Sequence, residues 1–259
     1  MVVCHTEAGI PFGLLDGRPK DIADVKSGKK CGCVCPACKS DLIAKKGDIL
    51  RHHFAHATGA SCSTGLQTSI HIAAKDMVRT IRHIRTPPNG NLSELRYRSD
   101  WVKHSGRPPH TQSWLFPSES IELSNVQPEQ RILIPGTDRW IIPDLTCNNG
   151  ELLIEFLVSH EVDNLKTRLI EQLQHQCIEI DLRPFIHDWL QGDRRSELGS
   201  ASAQLRELLL NSDQDRRWVC DSRVAEWLKE HRIPDYPSNT GQQLDLLRDD
   251  EARPRHRDH

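Results

Sequence analysis

The chain has 259 residues, 37% hydrophobic and 27% charged, with a net charge of −2, a balance that fits one large or two small soluble domains. No run approaches eighteen consecutive apolar residues, which excludes a helical membrane span, and the opening MVVCHTEAGIPFG has neither the basic nor the apolar segment of a secretory signal. The expected address is therefore the cytoplasm, where nine cysteines, an odd number crowded toward the start, fit reduced thiols and a metal better than a disulfide framework.

Charge is unevenly divided. Residues 1–110 carry 17 Lys and Arg against 9 Asp and Glu, and the remainder 17 against 27. A basic front half can contact phosphates, whereas an acidic rear half repels them unless its carboxylates hold cations.

In chain order, the first feature is a small metal-stapled module. Cys35-Pro36-Ala37-Cys38 has the spacing with which two thiolates grip one face of a tetrahedral zinc ion. Segments 41–45 and 48–54 flank a turn at Lys46-Gly47, and His52, His53, His56 and Cys62 follow. Cys35, Cys38, His56 and Cys62 form the preferred ligand set, with His53 as the substitute for His56 because strand alternation alone does not decide which imidazole turns inward. Cys31 and Cys33 are spare thiols. Four protein ligands leave no open position for water, so the zinc is expected to be structural.

Residues 67–84 predict an amphipathic helix. Ile70, Ala73, Ala74, Met77, Val78, Ile81 and Ile84 share an apolar stripe, and His71, Lys75 and Arg79 form a basic ridge suited to a phosphate backbone. Residues 86–112, with TPPNGN and GRPPH, read as a connection. From 119 to 182 the order is strand, strand, strand, helix, strand, the signature of an α/β core. QLRELLL and RVAEWLKEH predict short helices, Trp218 and Trp227 at helical spacings read as packing residues, and the polar segment 235–259 is expected to be disordered.

Glu155 is the only ionisable residue in the apolar run LLIEFLV. Burial there either neutralises the carboxyl or demands a compensating cation. Asn149-Gly150 signals a two-residue type I′ turn, which makes 148 and 151 the first facing pair and sets Asp144 opposite Glu155. Two facing carboxylates repel unless a cation lies between them, and oxygen-only ligation suits Mg²⁺ or Mn²⁺. Glu179 and Asp181 alternate on the following strand and are candidates for an additional ligand.

Pro143-Asp144, ten residues, then Glu155 resembles the PD-(D/E)XK nuclease signature. More specifically, CPACKSDLIAKKGDILRHHFAH with Cys62, TSIHIAAK, IPDLTC, LLIEFLVSHEVDNLK and IEIDL resemble the CoiA-like competence proteins, over residues 31–182. The resemblance implies a zinc-binding module over 1–65 and a restriction-endonuclease-like α/β core over 119–184 with a mixed sheet flanked by helices; the chain's own pattern adds a basic helix and connection over 66–118, a helical region over 185–234 and a tail over 235–259. It implies a Mg²⁺- or Mn²⁺-dependent deoxyribonuclease in a competence, recombination or defence setting, acting on single-stranded or duplex DNA, with Asp144 and Glu155 as metal ligands.

The general signature has a lysine two residues after the glutamate, and this chain has Leu157. Lys166, on the following helix, is the expected replacement, with Asp163 beside it; His160, at the strand-to-helix junction, is a second catalytic candidate. The rival readings are a catalytically inactive nucleic-acid-binding protein on a degenerate nuclease core, and an adaptor whose zinc module docks a protein.

Overall fold

The structure is a computed structural model, and it describes residues 9–59, 62–91, 114–159, 162, 164–173, 175–191 and 199–230. His160, Asp163, most of the connection and the 235–259 tail lie outside the described residues.

The amino-terminal region is built from two hairpins. Strands β1 (Phe12–Leu15) and β2 (Arg18–Asp21) pair around an Asp16-Gly17 turn in which both residues have positive φ, 51° and 76°. Strands β3 (Leu42–Lys45) and β4 (His53–His56) pair with Leu42 opposite His56. Bridges at Ile10–Phe54, Leu14–Val34 and Val34–Asp41 tie the two hairpins together. Phe12, Leu42, Ala44 and Phe54 are buried between them, so the module has an apolar core besides its thiols.

Helix α1 (Gly65–Ile81) follows the predicted stripe, burying Ile70, Ala73, Ala74 and Val78, and ends where Arg82 turns left-handed with its N–H on the Val78 carbonyl. Strands β5 (His83–Arg85), β6 (Asn89–Asn91), β7 (Trp114–Phe116) and β8 (Ser120–Glu122) make two small pairs, β5 with β8 and β6 with β7. The sequence pattern assigned SIELSNV to the α/β core; instead Ser120–Glu122 pairs beside the end of α1.

The principal sheet is mixed. Strand β9 (Gln127–Pro128) and the hairpin β10 (Ile132–Leu133) to β11 (Trp140–Ile141) lead into β12 (Leu145–Cys147) and β13 (Leu152–Leu157). Helix α2 (Asn164–Leu173), strand β14 (Gln176–Asp181), helices α3 (Arg183–Gln191) and α4 (Ala201–Asn211), strand β15 (Arg216–Cys220) and helix α5 (Arg223–Glu230) complete the chain. The sheet order is β15-β14-β13-β12-β9, with β13 and β14 parallel and the other pairs antiparallel. Strand β13 is buried along its whole length, as an apolar central strand requires.

Helix α3 falls largely in the expected helical region without having been singled out, and strand β15, which carries Trp218, stands where that region was expected to be helical. Pro184 suits the first turn of α3, where no intrahelical donor is needed, and Phe185, Ile186 and Trp189 supply its buried face. In β15 the charged pair Arg216-Arg217 masks an apolar strand. The buried Arg216 guanidinium binds the carbonyls of Leu208, Leu209 and Arg85, satisfying orphaned acceptors at the end of α4. No described helix is long and apolar enough to cross a membrane.

The β12–β13 turn has Asn149 at φ 58° and Gly150 at φ 100°, and Leu145, Thr146 and Cys147 face Ile154, Leu153 and Leu152. That is the register the Asn-Gly turn predicts. Replacing Gly150 by Ala, which disfavours such a φ, should cost about 1 kcal/mol of stability in urea unfolding, whereas the same change at Gly47, whose φ is not positive, should cost less.

Candidate functional site

The four sequence-chosen ligands converge. The ligand atoms of Cys35, Cys38, His56 and Cys62 all lie within 4.8 Å of one another, and Cys38 Sγ is 3.3 Å from His56 Nε2. Tetrahedral zinc with bonds of about 2.3 Å to sulfur and 2.0 Å to nitrogen separates its ligands by roughly 3.5 Å, so this cluster can hold such an ion.

Local backbone structure builds the knuckle. Cys35 N–H donates to Ser40 O at 2.8 Å and Lys39 N–H to Cys35 O at 3.0 Å, folding the loop so that both thiols face inward. In β4, Phe54 and His56 are buried while His53 turns outward enough for its Nδ1 to meet Arg51 O at 2.9 Å. Alternation therefore selects His56 over His53. Cys31 and Cys33 are buried elsewhere, with Cys31 Sγ on Leu42 O at 3.3 Å. Burial, reinforced by Cys31, pushes the Cys33 thiol up to about 12, so it stays protonated.

Helix α1 starts against this cluster. A side chain on Gly65 would place its Cβ 3.3 Å from Cys62 Sγ and 3.5 Å from Cys35 Sγ. The first turn of the helix thus packs against the two sulfurs, while burial pushes the Cys35 thiol up to about 11 in the metal-free protein.

The second site lies farther along the same helix. His71 Nε2 is 2.9 Å from Asp144 Oδ1, and Lys75 Nζ is 3.6 Å from that oxygen and 2.6 Å from Glu129 Oε1. The other Asp144 oxygen, Oδ2, accepts the Phe156 N–H at 2.9 Å, and the His71 ring packs edge-on to Phe156. Asp144 therefore bonds across the hairpin with its side chain. Burial alone would raise its pKa, but the His71 contact, the Phe156 N–H and the Lys75 charge together outweigh it and lower the pKa.

Glu155, on the partner strand, is buried. Lys166 Nζ, from α2, lies 2.7 Å from Glu155 Oε1 and donates to Ile142 O at 3.3 Å. Desolvation pushes the Glu155 carboxyl up to about 7; Lys166 opposes the rise, and Asp144 and Glu179 add to it. Glu179 faces Glu155 on the parallel strand β14, where it accepts from Val162 N–H at 2.7 Å and Arg217 Nε at 2.7 Å. Asp181 pairs with Arg183, and Arg79 is exposed.

One expectation is corrected. The facing acids were expected to be tolerable only with an ion between them, but His71 and Lys75 face Asp144, and Lys166 faces Glu155. Side-chain cations already compensate both charges. Sequence reasoning also missed Glu129, whose N–H meets Asp144 O at 3.2 Å; it lies at the end of β9, and only the register linking 127–128 to 145–146 reveals it.

Residues 17–65 match the family model for the competence protein CoiA, N-terminal domain. The amino-terminal segment is CoiA-like. The matched segment contains all four clustered ligands and ends at the first residue of α1; the sheet with Asp144 and Glu155 lies beyond it. No curated protein and no solved structure matches the chain.

The Glu155 pKa sets a measurable pH dependence for the metal-free protein. Because it is raised in the folded state, this carboxyl's contribution to stability is full below the unfolded value of about 4.5 and is lost as pH rises through about 7. Carboxyl NMR should give a Glu155 midpoint near 7, and Lys166→Met should move it higher; an unmoved midpoint would contradict the ion pair.

Proposed function

We propose that this CoiA-like chain is a metal-dependent deoxyribonuclease with a restriction-endonuclease-like core and a structural zinc in its CoiA-type domain, acting in a competence-related setting. The observation that carries the reading is the 2.7 Å contact between Lys166 and Glu155. It returns a lysine to the carboxylate pair from α2, compensating for Leu157, which is buried and apolar.

The donor set fits a hard divalent cation. Asp144 and Glu155 offer oxygens across one hairpin, with Glu179 alongside. Mg²⁺ or Mn²⁺ held by Asp144 and Glu155 would neutralise charge on the scissile phosphate and acidify an attacking water. The protein's own groups would do the rest. Lys166 would exchange part of its contact with Glu155 for a phosphate oxygen, stabilising charge that develops there. His71 and Lys75 would keep Asp144 ionised and oriented, and Arg79, exposed on the same helix, would meet the backbone. His160 remains a proposed second catalytic group.

A specific observation favours the inactive, nucleic-acid-binding alternative: both acids already have side-chain partners, His71 and Lys75 at Asp144 and Lys166 at Glu155, so an ion must compete with them. The two readings separate when purified protein is incubated with single-stranded, duplex and branched DNA, and with RNA, in Mg²⁺ or Mn²⁺. Cleavage of DNA, abolished in Asp144→Ala and Glu155→Ala and reduced on the order of 10²- to 10³-fold in Lys166→Ala, is expected. DNA retained but never cut would sink the nuclease reading.

For the zinc module, untagged protein should carry one zinc per chain by elemental analysis. Cys62→Ser should lose that zinc and lower the melting temperature, because the ion would join the Cys35–Cys38 loop and strand β4 to the start of α1.

A further inference from the structure

We infer that the outer face of the β10–β11 hairpin is a stacking platform for the unpaired bases of a single DNA strand, leading it into the carboxylate site. The inference deepens the nuclease reading and rests on it for the nature of the polymer.

Along 140–144 exposure alternates: Trp140 and Ile142 are exposed, Ile141 and Pro143 are buried, and Asp144 is partly open. On the facing strand Arg131 and Leu133 are exposed, while Ile134 is buried. Leu133 lies opposite Trp140, and the same register carries Arg131 to Ile142 and Glu129 to Asp144, where the Glu129 N–H donates to Asp144 O. One face therefore runs from the hairpin tip to the carboxylates. Trp140 and Asp144 are four residues apart on extended chain, about 13 Å, a few nucleotides of backbone.

The chemistry of that face is unusual for solvent. Leu133 is 63% exposed, Trp140 44%, Ile142 40% and Leu165, next to Lys166, 58%. Large apolar side chains gathered beside a charged cleft signal a surface that something covers. Arg131 lies over the Trp140 ring, its Cζ 4.0 Å from the centroid, a cation–π arrangement that holds the indole in place. Arg131 is the cation on this face, Arg139 is exposed beside Asp138 at the hairpin turn, Lys166 is held by Glu155 at the rim, and Glu129, bound to Lys75, is the acid on the same face. An aromatic ring, apolar neighbours and an arginine on each arm of the hairpin are the elements with which proteins hold single strands, bases stacking while cations follow the phosphates. A duplex keeps its bases stacked on one another and offers this face only a sugar-phosphate backbone.

Fluorescence anisotropy with a labelled dodecathymidylate, and with a duplex of equal length, tests this directly in EDTA, where no cleavage is needed. Wild-type protein should bind the single strand more tightly than the duplex. Trp140→Ala should weaken single-strand binding on the order of 10- to 100-fold, leave duplex binding and the melting temperature unchanged, and preserve the salt slope, since no phosphate contact is removed. Trp140→Phe should restore most of the affinity.

No measurable binding of the oligonucleotide by wild-type protein, an unchanged affinity in Trp140→Ala, or an equal loss on the duplex would each overturn the inference. A Trp140-dependent single-strand preference in a protein that never cuts DNA would keep the platform and reject only the nuclease.

Discussion

The organisation of the molecule depends on helix α1 being fixed at two points. Its first turn rests against the sulfurs of Cys35 and Cys62, and one to two turns on it extends His71 and Lys75 to Asp144. With about 1.5 Å of rise per residue, Gly65 and Lys75 are roughly 15 Å apart along the axis, so the cluster and the carboxylate site share one rigid element. Between them the helix buries Ile70, Ala73 and Ala74 in a core that runs without interruption from Phe12 and Phe54 to Leu145 and Ile154. An amino-terminal metal would act on Asp144 through this helix, by setting how firmly its first turn is held.

At the second point the electrostatics are balanced by side chains. Asp144 and Glu155 belong to facing strands of a hairpin, and each raises the cost of ionising the other. The chain assigns them opposite environments. Asp144 receives an imidazole, an ammonium and a backbone N–H, and stays ionised. Glu155 is deeper, has Lys166 as its cation and feels Glu179 across the parallel ladder, so it titrates near 7. A pair of acids with divided protonation is a common basis for acid–base chemistry. Leu157 fits the same logic: on a strand whose every residue is buried, a lysine would have to reach out of the core, whereas α2 brings Lys166 to the carboxylate from the rim.

Local chemistry made much of this legible in sequence. The Asn149-Gly150 turn sets the β12–β13 register because both residues accept positive φ. The α1 stripe and the Cys35/Cys38 spacing are equally local, and the β4 alternation that selects His56 needed only the strand's facing. What could not be read was tertiary. The outward ridge of His71 and Lys75 turns onto an acid more than sixty residues away in sequence, which no helical period reports. The Glu129 contact depends on a strand pairing between 127–128 and 145–146, and β15 was hidden because Arg216 is buried by carbonyl acceptors that lie on other elements.

The division of charge along the chain acquires a different meaning from this geometry. A basic front half and an acidic rear half suggested two solvated surfaces, one for phosphates and one for cations. Part of that difference is internal: His71 and Lys75 come from the basic half, Asp144 and Glu129 from the acidic half, and they meet within hydrogen-bonding range. Those contacts fix α1 on the sheet and leave fewer basic groups facing solvent on that ridge, with Arg79 exposed. The positive charge that remains beside the carboxylates belongs to the acidic half itself, on Arg131, Arg139 and Lys166. Any polyanion approaching the site would therefore meet the β10–β11 hairpin and the start of α2 as well as the predicted ridge, all of which lie beyond the CoiA-type segment of residues 17–65.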